Sequence, residues 1–406
     1  MRILFVGLMY NPEKEKEYLT HSKVGLGVAS NLYELNLVKG LSAIDDVYIN
    51  ACGSIPYGNY PSLSDELFVP DSVETFDNIR MIEVGYINFY LVKHSIREQK
   101  IKKIIFDWNK KYEDEDEDKY VLFYDLYAPF INIIDWLKQF NEIRTCLIVP
   151  DLTGKLRNES NAKGLKNFVL NHQHHNYDDY SHADSYILFT EQMNSIINRR
   201  KKPYVVIDGI VSTNERRTRY LEHGTGEKVI LYAGLLSHQY GLDLIIKAFN
   251  STPEMNNFEL WFCGKGDMEA YIEEESRKNH RIQYKGFLSK EELTKLESKV
   301  SFYINPRPNE GEYVKYSFPS KNLEYLLAGK PVIAYKLDGM SDEYDNNFIY
   351  IKEKNVEAIE DVFREISKFS EIDINKIGKQ NHDFVIRHNG NIRQAEKVVD
   401  MLKGLR

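Results

Sequence analysis

The sequence predicts an α/β protein of two doubly wound domains of similar size. Three observations carry this expectation. Short β-rich apolar runs alternate with amphipathic helical stretches, the pattern of mostly parallel sheets with helices on both faces. The stretch 213–228 (TNERRTRYLEHGTGEK) is polar and charged with no apolar period, as a linker is. The alternation then starts again. A length of 406 residues agrees with more than one domain.

Taken in order, RILFVG (2–7) reads as a buried parallel strand opening into a loop at glycine, and 29–41 as an amphipathic helix. Strands follow at 47–50, 81–84, 120–123, 145–149, 186–189 and 204–207. Helices are expected near 89–106, 130–140 and 191–199, with a long helical and loop stretch before 186. After the break, strands fall at 229–232, 259–263, 282–284, 300–304 and 332–335. Helices fall at 242–249, 268–277, 290–296 and 321–327, and a last helix covers 391–405. The domains are therefore 1–212 and 228–384, with 385–406 packing back on the first. Ligands of such sheets bind outside the carboxyl ends of the strands, here in a cleft facing both domains.

Composition narrows the function. Lys and Arg total 53 against 61 Asp and Glu, a net charge of −8, which argues against nucleic-acid binding. At 42% hydrophobic and 28% charged the chain is an ordinary globular one. Cys52, Cys146 and Cys263 are far apart, so neither a disulfide framework nor a zinc site is expected, and a reducing cytoplasm is the simplest home. No apolar run reaches membrane-spanning length, and MRILFVGLMYNP lacks the order of a signal peptide. The acidic run 113–118 (EDEDED) reads as a solvated loop, and His172, His174 and His175, near Asp178, Asp179 and His182, as a surface cluster with no metal-ligand spacing.

Several residues point to phosphate and sugar chemistry. Gly264-Lys-Gly266 lies between a strand and a helix, and Glu269 stands where a dinucleotide fingerprint needs a small residue. Either a tight turn or a phosphate contact fits it. Gly25-Leu-Gly27 precedes a helix in the loop after the first strand, where its amides could meet a ligand. The richest stretch is 305–334, NPRPNEGEYVKYSFPSKNLEYLLAGKPVIA. Arg307, Lys315 and Lys321 suit a pyrophosphate, Pro319 and Ser320 begin a helix with Ser320 a fitting N-cap, and Glu324 one turn inside can accept from vicinal ribose hydroxyls.

YSFPSKNLEYLLAGKPVIA resembles the donor-binding segment of GT-B glycosyltransferases of family 4, in the branch with a Ser-Phe-Pro-Ser-Lys-x-x-Glu-Tyr stretch. The similarity extends through VILYAGLLSHQYGLDLIIKAF (229–249), WFCGKGDMEAYI (261–272), YKGFLSKEEL (284–293) and INPRPNEGE (304–312). In the first half it takes in VPDLTG (149–154) and 186–211. The resemblance implies two Rossmann-like domains facing a central cleft and retaining transfer of a hexose from a nucleotide-diphosphate sugar, UDP-linked by family frequency. It implies no cofactor and no metal, with a saccharide or lipid-linked acceptor in surface polysaccharide or glycoconjugate synthesis. A lipid-linked acceptor would make the protein peripheral to a membrane.

Carried onto this sequence, Glu324 holds the ribose, Lys321 and the amides around Ser317–Ser320, a stretch that includes Phe318 and Pro319, line the diphosphate, and Arg307 serves the leaving group. Gly234 and Gly264 line the donor, Glu310 resembles the family's Glu-Gly pair, and Asp125 or Tyr127 lies near the sugar. The chain departs from the pattern at Leu235 and Tyr240, where members carry a basic pair, and at Tyr316, eight residues before Glu324, where they carry Glu. These departures keep open a non-catalytic partner protein; a sugar-nucleotide epimerase of the same architecture is the third reading.

Overall fold

The structure is a computed structural model that describes residues 1–77, 79–152, 180–213 and 228–405. His172, His174, His175, Asp178, Asp179, Thr153 and Gly154, the stretch 155–179 and most of the linker (214–227) lie outside the described residues. The chain divides into two compact units, Met1–Val211 with Asn389–Arg406, and Ser212–His388. The second unit thus extends to His388, in the last turn of a long helix (Glu371–Asn389).

In the first unit, β1 (Arg2–Val6), β2 (Tyr48–Gly53), β5 (Ile79–Glu83), β7 (Lys119–Tyr124), β8 (Ile143–Val149), β9 (Ser185–Leu188) and β10 (Tyr204–Val206) are joined by β4 (Ser72–Phe76) in one sheet. Its order is β10-β9-β8-β7-β1-β2-β5-β4. β1 is central, pairing in parallel with β2 (Arg2 opposite Tyr48) and β7 (Arg2 opposite Lys119). Being covered on both faces, it is a continuous apolar run. β4 is the antiparallel exception at the edge, turning at Asp77 (φ 46°). Its residues alternate between buried and exposed, so it lacks the apolar run by which the other strands are legible. A separate pair, β3 (Phe68–Val69) and β6 (Tyr86–Ile87), is also antiparallel.

Among the described residues this unit has helices α1 (Glu15–Thr20), α2 (Val28–Ser42), α3 (Lys93–Lys111), α4 (Ala128–Leu137) and the short α5 (Asn194–Ile197) before its last helix. The helix expected over 191–199 is only a 3₁₀ turn and α5. Asn198 ends it, its side chain bonding both the carbonyl and the amide of Lys202 (2.7 Å each) in place of further helix. The acidic run is not simply solvated, because Arg2 bonds Glu115 and pairs with Glu117 (3.1 Å), tying the chain start to the loop.

The second unit holds β11 (Lys228–Ala233), β12 (Phe258–Cys263), β13 (Ile282–Tyr284), β14 (Phe302–Asn305), β15 (Val332–Tyr335) and β16 (Phe348–Ile351). All are parallel, in the order β13-β12-β11-β14-β15-β16. Among the described residues its helices are α6 (Leu242–Ser251), α7 (Glu269–Lys278), α8 (Lys290–Glu297), α9 (Ser320–Leu327), α10 (Val356–Ile366) and α11 (Glu371–Asn389). β16, α10 and α11 add to the elements expected from sequence.

The last helix, α12 (Asn391–Lys403), belongs to the first unit and packs on α2. Contact is close at Gly40, where a Cβ would lie 2.2 Å from the Asn391 carbonyl oxygen. Tyr120 Oη donates to the Leu402 carbonyl (3.0 Å), so the helix is held at both ends. Among the described residues no helix is long and apolar enough to cross a membrane.

Candidate functional site

In the second unit the predicted residues gather at the carboxyl ends of β11, β12 and β14 and the start of α9. Two contacts set α9 against the sheet. The Ala233 amide donates to Tyr325 Oη (3.0 Å), which donates back to the Ala233 carbonyl (2.9 Å). Asn305 Nδ2, at the end of β14, donates to Asn322 Oδ1 (2.6 Å). Asn322, Leu323, Tyr325 and Leu326 form the buried face, which leaves Ser320 and Glu324 exposed and Lys321 half-buried.

Lys321 is held over Gly234: a Cβ there would sit 3.1 Å from Lys321 Cε and 3.0 Å from Tyr232 Oη. A side chain at this position would have to displace the lysine stem or the tyrosine hydroxyl by a few tenths of an ångström. Gly264, at φ 136°, packs against the same turn, and a Cβ on it would fall 1.8 Å from the Gly234 oxygen. Its amide donates to the Gly286 carbonyl (2.9 Å), and that of Gly266 to Glu269 Oε1 (2.7 Å). Both amides are committed within the protein, so this glycine pair acts as a close-packed turn and the tight-turn reading prevails over a phosphate contact. Glu269, which spoils the dinucleotide fingerprint, is what occupies the Gly266 amide.

Arg307 lies just past β14, its Nη2 donating to Ser317 Oγ (2.8 Å) and its guanidinium 5.4 Å from the Tyr313 ring centroid. Phe318 packs on Tyr344 (5.5 Å between centroids) and Pro319 is buried, so these two anchor the loop. The N-cap of α9 is Pro319, with Ser320 already the first helical residue and no side chain capping the terminus. Sequence reasoning places Ser320 one position early. The correction matters chemically, because an uncapped terminus keeps its first amides and its positive dipole end for an anion. Glu310 is ion-paired with Lys354 (2.7 Å). Leu235 is exposed.

Phe287 escaped the sequence reading. It is 69% exposed just beyond β13, with Lys265 Nζ 5.3 Å from its ring centroid. An exposed aromatic at a strand's carboxyl end is the signal that could have revealed it.

In the first unit, Gly25 and Gly27 are exposed with positive φ (82° and 67°), and Gly27 is the N-cap of α2. Asp125 follows β7 at φ 84°, a conformation costly for a non-glycine residue, held by its own Oδ1 accepting from the Leu126 amide (2.6 Å). Burial raises its pKa above the usual carboxylate value, and the nearby Asp151 adds to this. Glu34 on α2 is also missed by the sequence. It is buried with no side-chain partner for its carboxyl, the Leu8 backbone being the polar group nearest to it, and it presses on the end of β1, where a Cβ on Gly7 would lie 1.7 Å from Oε2. Burial, with Asp125 adding repulsion, holds its pKa well above the ordinary carboxylate range. Tyr127, the N-cap of α4, accepts from Arg97 Nη1 (3.2 Å) and bonds His94 Nδ1 (2.7 Å).

Cations, an uncapped helix start and a carboxylate one turn further on are the parts of a nucleotide-diphosphate site. Proteins similar to this chain include glycosyltransferases. Residues 214–382 match the family described as glycosyl transferases group 1. The fold is GT-B, two Rossmann-like α/β domains. The chain is similar over its whole length to sucrose-phosphate synthase from Thermosynechococcus elongatus (TM-score 0.63, 13% identity, 100% of this chain and 99% of that one). It is also similar to Anabaena HepE in complex with UDP (TM-score 0.58, 11% identity, 100% of both chains). The lipopolysaccharide outer core galactosyltransferase WaaB has a TM-score of 0.56 at 15% identity, with 98% of this chain and 99% of that one covered. In sequence, an uncharacterized glycosyltransferase of Methanocaldococcus jannaschii is 29% identical over 138 residues, 33% of this chain. That match spans about a third (34%) of the length of the relative.

Proposed function

We propose that this protein is a retaining glycosyltransferase of family 4, in the Ser-Phe-Pro-Ser-Lys branch, that moves a hexose from a UDP-sugar to a saccharide or lipid-linked acceptor in surface polysaccharide or glycoconjugate synthesis. The observation that carries the reading is Lys321 lying over Gly234 at the uncapped start of α9. The diphosphate takes the first amides of α9 and Lys321, Arg307 meets the charge that grows on the leaving group, and Glu324 accepts from the ribose hydroxyls. Phe287 offers the base an exposed face to stack on. UDP as the donor nucleotide is supported by its presence in the HepE complex.

In the reaction the bond from the anomeric carbon to the diphosphate breaks as the acceptor oxygen bonds that carbon from the same face. The acceptor's proton passes to the departing phosphate oxygen. Fixed cations and amides stabilise that charge, each contact being worth on the order of 10²–10³ in rate, so no divalent metal is required. A lipid-linked acceptor, with the protein cytoplasmic and peripheral to a membrane, is supported by Phe68 and Ile87. They lie opposite each other in the β3–β6 pair and both are exposed.

The test is thermal denaturation with millimolar UDP, GDP, ADP or CMP, with and without EDTA, on the wild type and Lys321→Ala. A UDP-selective rise of a few degrees that survives EDTA and fades in the variant is expected. No response to any nucleotide would overturn the reading. Exposed Leu235, in place of a cation, favours a second reading as a non-catalytic partner protein. Donor binding without hydrolysis or transfer would mark it.

A further inference from the structure

The first unit holds a group of cations that the proposed donor chemistry does not use. Lys93 and Arg97, one turn apart on α3, are 6% and 3% exposed. Buried charges normally have a counter-charge. Here the partners are neutral. Arg97 Nε donates to Ser54 Oγ (3.0 Å), Nη1 to Tyr127 Oη (3.2 Å) and Nη2 to the Ile55 carbonyl (2.6 Å), with the Tyr86 ring 3.8 Å away. Lys93 Nζ donates to the Tyr57 carbonyl (3.1 Å). Among the described residues no carboxylate pairs with either.

The position is informative as well. Ser54 and Ile55 directly follow β2, and Tyr127 follows β7, so the group sits at the carboxyl ends of parallel strands, where doubly wound sheets bind ligands. Arg97 is linked through Tyr127 to His94, and both of these are half-buried where the two cations are buried. Arg97 can only donate to Tyr127 Oη, and the arrangement that uses every group has the tyrosine O–H donating to His94 Nδ1. That leaves the proton of the neutral imidazole on Nε2. Burial, then the Lys93 and Arg97 charges, lowers the His94 pKa to about 4, which keeps the ring neutral at pH 7.

Resting on the glycosyltransferase reading, we infer that the acceptor carries a phosphate group, and that this phosphate docks at His94 and Tyr127 with Lys93 and Arg97 as its counter-charges. Two unit charges without a carboxylate match a phosphate dianion better than a singly charged carboxylate, and the His94 Nε2–H supplies a direct donor.

The probe is inorganic phosphate, added to the full chain at constant ionic strength and up to 50 mM (about the range of a weak subsite). The His94 side-chain ¹⁵N–¹H resonance is followed together with the melting temperature. A saturable shift of the His94 resonance is expected, weakened about tenfold or more in Lys93→Met; in a Lys321→Ala background, where the donor site no longer contributes to the melting temperature, the milder His94→Gln should lose the remaining thermal response. No saturable movement of His94, an equal affinity in Lys93→Met, or an equal response to acetate would overturn the inference. UDP is titrated in parallel. A UDP response without a phosphate response removes only the acceptor assignment, whereas a phosphate response without a UDP response removes the donor reading on which it rests.

Discussion

Replacing Lys93 by methionine examines the electrostatics of the first unit directly, because the expected effect is a gain in stability. Burial, with repulsion from Arg97, lowers the lysine pKa from 10.5 to about 8. A displacement of that size disfavours the folded, charged form by about 3 kcal/mol. Methionine keeps an unbranched apolar stem but leaves the Tyr57 carbonyl without its donor, a loss of about 1 kcal/mol. The balance is a gain of about 2 kcal/mol at pH 7, or a rise in melting temperature of about 4–8 °C for a unit of this size. The pH dependence has a definite sign. Below pH 8 the lysine is charged in both states and its penalty is fully present. Above pH 8 the folded lysine loses its proton while the unfolded one keeps it toward 10.5, so the wild type gains and the variant's advantage shrinks. Calorimetry of both proteins from pH 6.5 to 9.5 measures this gap. A variant less stable than the wild type throughout, or a gap independent of pH, would refute the reasoning.

Three other outcomes follow from the geometry. Gly234→Ala places a methyl 3.1 Å from Lys321 Cε, so it should weaken UDP binding about tenfold while far-ultraviolet circular dichroism stays that of the wild type; unchanged affinity would show that the lysine moves aside freely. His94→Gln should flatten the acid limb of stability: the folded pKa of about 4 lies below the unfolded value, so the wild type loses stability as pH falls from 6.5 toward 4, and parallel limbs in the two proteins would contradict this. Gly40→Ala drives a methyl to 2.2 Å from the Asn391 oxygen, which should cost about 2 kcal/mol by denaturant titration and raise proteolysis at α12; an unchanged midpoint would mean the helix gives way at no cost.

Much of the fold is legible in the sequence because parallel strands buried on both faces are plain apolar runs. β1, β7, β11 and β15 are of this kind. β4 is not, since an edge strand buries one face and alternates. The helix after Glu191 is cut short by a side-chain interaction of Asn198 that no periodicity reports. In the candidate site, Arg307, Lys321 and Glu324 stand out by charge type after an apolar strand, and the stretch around them carries a family resemblance. The Lys93–Arg97 pair does not stand out, because α3 contains many lysines, and which of them are buried depends on what the Ser54–Tyr57 loop and Tyr127 bring against them.

By itself the sequence determines two alternating α/β halves, a break between them, and a cation-rich loop leading into the Ser320 helix of the second. Apolar period and residue type are local properties, and they suffice for those statements. Tertiary structure alone decides that Gly264 is a packing glycine whose amide is already bonded, that the start of α9 is left uncapped beneath Lys321, and that two cations of the first unit are buried without a carboxylate. Each of these depends on which distant groups share a few ångströms and on how much water is excluded there, and neither quantity is carried by spacing along the chain.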